Sequence, residues 1–175
     1  MSSLTPASPN PAPLRVSVAI FLGWGGILAV AGGAGAGLTA SVMHRRFVFM
    51  SGRTDAGFLG ASIAQLYAAD PALEKTVAIY MTMMSAVLGA MGIAMMSLAW
   101  FGLRRRSKGA LAGLVLMPVP IVAWFLVVLG RYRAHGVSVQ FGDVPPFVWV
   151  GAIVAIVGAV FGWQGLHLPQ LPNDR

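Results

Sequence analysis

Carboxylates, histidines and methionines are the residues through which this chain could do chemistry, since it has no cysteine. That absence excludes disulfides, thiolate metal sites and thiol nucleophiles. The acids are Asp55, Asp70, Glu74, Asp143 and Asp174. A carboxylate inside a long apolar segment marks a proton path or an ion site. None of the five lies inside such a segment, and no Lys or Arg does either. A proton-coupled transporter keeps an ionisable group at mid-membrane, and no such group is on offer. His44 and His135 close two apolar runs on one side and could begin a metal site with Asp55, Asp70 or Asp143. Their spacing matches no ligand pattern, so interfacial histidines are expected and no metal or cofactor is.

Methionines concentrate at Met81, Met83, Met84, Met91, Met95 and Met96. Copper or haem ligation needs such side chains to converge. These point all round one helix, which suits flexible packing or lipid contact. The glycines of the first apolar run have no strand before them, so they make no nucleotide-binding loop. An intramembrane enzyme would need acids or histidines within reach of its substrate. The expectation is therefore a non-catalytic protein, with no catalytic, cofactor-binding or metal residue assigned.

The elements that carry these residues are long and apolar. The chain of 175 residues is 57% hydrophobic and 10% charged, against about 25% charged in soluble domains. From Ala78 to Leu103 no residue is charged, and Arg104-Arg105-Arg106 ends the run. That is longer than the ~20 residues that cross a bilayer core of ~30 Å. Val16 to Met43 is a second run, too long for the 7–15 residue core of a cleaved signal. Gly109 to Gly130 is a third; its Pro118 and Pro120 imply a kink, either packing geometry or a hinge. Phe147 to Leu166, after Pro145-Pro146, is the fourth. The predicted fold is all-α: a polytopic membrane protein, a four-transmembrane-helix up-and-down bundle with a short interfacial helix in the first loop. Its domains are a disordered tail over 1–14, a membrane domain over 15–167 with spans at about 16–43, 76–103, 109–130 and 147–166, and a tail over 168–175.

Asp55 to Ala69 is predicted as the interfacial helix, with Leu59, Ile63 and Leu66 on one face. Asp70-Pro71 is a helix start, a capping acid before proline. Val137 to Phe141 alternates as a short strand does. Aromatic residues fall at the segment ends, Trp100, Phe101 and Trp163 at one face and Tyr132, Phe141, Phe147 and Trp149 at the other.

Small residues repeat every four positions on two helices. The first series is Gly25, Ala29, Gly33, Gly37 and Ser41; the second is Ala78, Thr82, Ala86, Ala90 and Ala94. Helix association in lipid depends on close contact, which small residues permit. The two series are predicted to face each other. Helix four carries a third, Gly151, Ala155 and Ala159, with Gly158 and Gly162 beside it.

The net charge of +7 sits at the ends of the apolar runs, where topology rather than nucleic acid accounts for it. Lys and Arg divide six to each side. Arg104, Arg105, Arg106 and Lys108 occupy the shortest connection, where the positive-inside bias acts most strongly. They predict both termini in the cytoplasm, and the expected location is a bacterial inner membrane. The segment ADPALEK, a long small-residue helix and FGLRRRSKGALAG together resemble the layout of small bacterial four-helix membrane proteins of the DoxX-like kind. The resemblance covers about residues 55–130 and implies a membrane bundle with no catalytic residue to carry over. The expected partners are the lipid bilayer and other membrane subunits or a second copy. The expected role is an accessory or structural subunit. The alternative is a binder or carrier of a lipid or other apolar molecule.

Overall fold

The structure, a computed structural model, describes residues 10–46 and 48–168. Most of both expected tails lies outside them, as do the side chains at 36, 37 and 39–41. Among the described residues seven α-helices follow in order: α1 Ala12–Ser41, α2 Gly52–Leu59, α3 Ile63–Ala69, α4 Pro71–Ser97, α5 Lys108–Leu116, α6 Val119–Ala134 and α7 Pro146–His167. No strand occurs among the described residues. Val137 to Phe141, expected as a short strand, is irregular over Val137 to Gln140 and enters a 3-10 turn at Phe141–Asp143. A lone strand has no partner for its backbone, and here the Val137 N–H returns to the Tyr132 carbonyl at 3.1 Å.

Among the described residues, four segments are long and apolar enough to cross a membrane: Ala12–Gly35, Pro71–Arg105, Lys108–Ala134 and Pro146–His167. The second continues α4 through a wider π turn at Leu98–Gly102 and a 3-10 turn at Leu103–Arg105. The third is α5 and α6 together, broken at Met117 and Pro118. Pro118 lacks the N–H to continue α5, and Pro120 sits in the first turn of α6, where a missing N–H costs nothing. The four segments alternate in direction between two ends. One end, the loop end, carries α2 and α3. The other, the basic end, carries Arg104 to Lys108.

Capping chemistry sets several boundaries. Asp70 accepts from the N–H groups of Ala72 at 2.9 Å and Leu73 at 3.3 Å, opening α4 as its sequence predicts. At the basic end, the Arg106 N–H returns to the Leu103 carbonyl and the Ser107 N–H to the Gly102 carbonyl. That is the Schellman pattern, with Arg106 at φ 61 in the left-handed position usually given to glycine. The Ser107 hydroxyl then caps α5 at Ala110 N, 3.2 Å away. Two helices thus reverse within three residues.

The first loop differs from expectation. It holds two short helices instead of one over Asp55–Ala69. Gly60 at φ 74 closes α2, and Ser62 with Gln65 forms a capping box that restarts the chain as α3. The break rotates the two halves apart, so Ile63 is buried while Leu59 is exposed.

Helix α1 lies at the centre, against both α4 and α7. Its contact with α4 is backbone to backbone. A Cβ placed on Gly32 would overlap Gly89 N and Cα; one on Gly92 would overlap the Gly25 carbonyl oxygen and Ala29 N. The contact against α7 uses large side chains in glycine hollows. A Cβ on Gly158 would lie 2.6 Å from the Phe21 ring, and one on Gly165 would lie 2.5 Å from Leu14 N. The Ser17 hydroxyl donates to the Gly158 carbonyl at 2.7 Å between them. On α7 the buried residues are Gly151, Ala155, Gly158, Gly162 and Gly165, steps of four and three that keep one side facing its neighbour. The core is Leu14, Val18, Phe21, Leu28, Met95, Ala99, Leu103, Leu111 and Leu114. The outer surface is apolar too: Val30, Ile79, Val87, Ile93, Trp124, Leu126 and Ile156 are all exposed.

Candidate functional site

The densest polar network gathers at the loop end. Asp55, in the first turn of α2, is fully buried. Its Oδ2 accepts from Val48 N at 2.6 Å and Phe49 N at 3.1 Å. Its Oδ1 accepts from Met50 N at 3.1 Å and from the Tyr132 hydroxyl at 2.6 Å. One carboxylate therefore gathers three successive backbone N–H groups and ties the first loop to the end of α6. Burying a carboxylate is costly without such donors, and four of them answer the cost. The Phe58 ring stacks on Tyr132 at 4.4 Å and meets His135 edge-on at 4.9 Å.

A second carboxylate fastens the same loop to the segment before α7. Asp143 accepts from the Ser51 hydroxyl at 2.7 Å, from Arg53 Nη2 at 2.7 Å and from Gln140 N at 2.8 Å. Ser51 also caps α2 at Thr54 N, 3.3 Å away. The hydrogen bonds from Ser51 and then Gln140 hold the Asp143 carboxyl down at about 2, with Thr54 and Arg53 adding less and partial burial opposing them. At the loop's other margin, Glu74 meets Arg45 Nε at 2.7 Å and His44 Nε2 at 3.2 Å, and the Tyr67 hydroxyl donates to the His44 carbonyl at 3.0 Å.

This arrangement clamps; it offers no open chemistry. Asp55 is sealed from solvent with its lone pairs taken up, so it has no room to act as a base. Among the described residues no three His, Asp or Glu side chains converge as a metal would require. His44 meets Glu74, whereas His135 shares its Nδ1 hydrogen with the Arg131 carbonyl at 2.9 Å.

The small-residue faces are placed differently from their expected register. Helices α1 and α4 do pack together, through Gly25, Leu28 and Gly32 on one side and Ser85, Gly89, Gly92 and Met95 on the other. Gly33 meets nothing within 4 Å. Ala86, Ala90 and Ala94 are exposed, and Ala78 and Thr82 are half-buried. Steps of four residues advance about 40° each at 3.6 residues per turn, so a strict four-residue series winds off the contact face. Alternating steps of three and four stay on it. Ala29 lies beside Gly92, while Gly37 and Ser41 fall outside the residues whose surroundings are described.

Of the topology residues, Arg104 lies over the Trp100 ring at 4.0 Å. Arg106 donates to the carbonyls of Gly165 at 3.2 Å and Leu168 at 2.7 Å, satisfying the end of α7. Arg105 and Lys108 are exposed. Residue-level reading missed Asp55, Tyr132, Arg53 and Asp143 as one unit. The available signal was Ser51 three residues before Thr54-Asp55, a capping pattern in the middle of a loop.

No family model, no curated protein and no solved structure matches the chain.

Proposed function

We propose that this is an integral membrane protein without chemistry of its own, an accessory or structural subunit that packs against other membrane helices. The carrying observation is the outward face of α4. Ala86, Ala90 and Ala94 point away from the bundle, and internal packing does not use them. On α1, Gly23 and Gly33 likewise have open space where a side chain would stand. Smooth faces of this kind let another backbone approach closely in lipid. Around them Ile79, Met83, Val87 and Ile93 are exposed, which suits acyl chains and not water.

A carrier that encloses its cargo inside the bundle draws less support. The internal space among Trp24, Leu28, Met95, Pro118 and Phe147 has a volume of about 20 Å³, room for about one water-sized sphere. We place the basic end in the cytoplasm, on the positive-inside bias of Arg104, Arg105, Arg106 and Lys108.

The chain lacks cysteine, so single cysteines report cleanly. Ala90→Cys carrying a thiol-linked benzophenone, which inserts into any neighbouring C–H bond on illumination, should give one discrete adduct in native membranes, and Ile156→Cys on another exposed face should give none. No discrete adduct from Ala90→Cys, or the same pattern from both, contradicts the reading.

A further inference from the structure

The basic end holds a groove between the start of α1 and the end of the α4 segment. It has a volume of about 270 Å³ and is lined by Asn10, Arg15, Val18, Ala19, Leu22, Trp100 and Arg104, just under the ~300 Å³ of the smallest ligand pockets. Its wall is apolar: Val18, Ala19 and Leu22 along α1, faced by the Trp100 ring. Its polar side is cationic. Arg104 stands 4.0 Å over the Trp100 ring, which fixes the guanidinium at the groove. Asn10 Nδ2 donates to the Arg104 carbonyl at 2.8 Å, so the entrance of α1 is tied to the end of the α4 segment.

Neither arginine meets an acid among the described residues. The ion pairs found there, His44 and Arg45 with Glu74 and Arg53 with Asp143, all lie at the loop end. Two guanidiniums beside an apolar wall, at the end of membrane-length helices, match one ligand chemistry. Guanidinium binds phosphate and carboxylate alike with fixed geometry; in a bilayer the abundant anion joined to an acyl chain, which the wall would cover, is a phosphodiester.

We propose that this groove binds an anionic phospholipid of the leaflet at the basic end. Arg15 and Arg104 hold the headgroup phosphate, the Trp100 ring flanks the glycerol, and one acyl chain runs along Val18, Ala19 and Leu22. The proposal rests on the membrane reading above. It is specific in charge and position: the lipid is anionic, and Arg131 and Arg133 at the opposite end do not take part.

The test uses the full chain purified in dodecyl maltoside, titrated with phosphatidylglycerol or phosphatidylcholine and followed by native mass spectrometry. Phosphatidylglycerol should bind at least tenfold more tightly than phosphatidylcholine. Arg15→Gln and Arg104→Gln should each weaken it about fivefold, from about 1 kcal/mol per basic residue near an anionic surface. Arg131→Gln with Arg133→Gln should leave it unchanged. Both groove arginines are exposed, and an unaltered melting temperature confirms that the variants fold. Equal binding of the two lipids, or unchanged phosphatidylglycerol binding in the double Arg15→Gln, Arg104→Gln variant, overturns the site. So does full displacement of the lipid by millimolar inorganic phosphate, which marks a soluble-anion site. The membrane reading fails separately, if alkaline carbonate washes the protein out of membranes.

Discussion

Gly32→Ala should be among the most damaging single-methyl changes in this protein, and Gly33→Ala should be harmless. Both add the same Cβ to α1, one residue apart. Both gain the same helix propensity, up to ~1 kcal/mol in water. The surroundings alone differ. The added carbon at residue 32 would overlap the backbone of Gly89 and lie 2.6 Å from the Ser85 carbonyl oxygen, whereas at residue 33 it meets nothing within 4 Å. Backbone cannot swing aside as a side chain can, so α1 and α4 must separate. Overpacking costs ~1–3 kcal/mol, and a backbone clash belongs at the top of that range. At ~2–4 °C per kcal/mol for a chain of this size, Gly32→Ala should melt about 6–12 °C below Gly33→Ala in dodecyl maltoside, followed by circular dichroism. Because propensity cancels between the two, the difference isolates the contact. Equal melting temperatures would refute the α1–α4 packing described here.

Tyr132→Phe should destabilise by about 1–3 kcal/mol, because it strips a donor from a buried carboxylate; hydrogen exchange should rise first over 48–59, and exchange unchanged there would show that Asp55 is no clamp. Asp143 has a carboxyl lowered from 3.8 to about 2. Its contribution is therefore fully present above about pH 4 and is lost as pH falls towards about 2. Protection of the first loop should fall across that window in the native chain and change much less in Asp143→Asn; equal pH dependence in both would contradict the assignment. Gly60→Ala should loosen the first loop by about 1 kcal/mol, since φ 74 suits glycine; a more protected α2–α3 junction would mean that the two helices merge into one.

Much of the architecture can be read from the chain because long apolar segments announce themselves by length. The four long apolar segments, the Asp70-Pro71 start and the tight Arg104–Lys108 reversal follow from local chemistry. Register does not. Gly25, Ala29 and Gly33 look equivalent on paper, yet the turn of the helix puts Gly32 in the contact and Gly33 outside it. Ala86, Ala90 and Ala94 fail as an internal face for the same geometric reason. The break at Gly60 was signalled by the glycine and the following Ser62…Gln65 pair, and apolar periodicity over Leu59, Ile63 and Leu66 outweighed it. The Asp55 clamp was hidden differently. Its key partner, Tyr132, lies 77 residues away, and no local pattern couples a loop acid to a tyrosine between two arginines.

The most direct test of a four-span membrane bundle with its basic end inside is a pair of single cysteines in intact cells. Gly109→Cys reports the Arg104–Lys108 reversal without removing the Ser107 cap, and Ser138→Cys reports the connection before α7; both sites are exposed. An impermeant maleimide should label Ser138→Cys in intact cells and Gly109→Cys only after the membrane is opened. Labelling of both positions in intact cells would contradict the spanning bundle, and labelling of Gly109→Cys alone would invert its orientation.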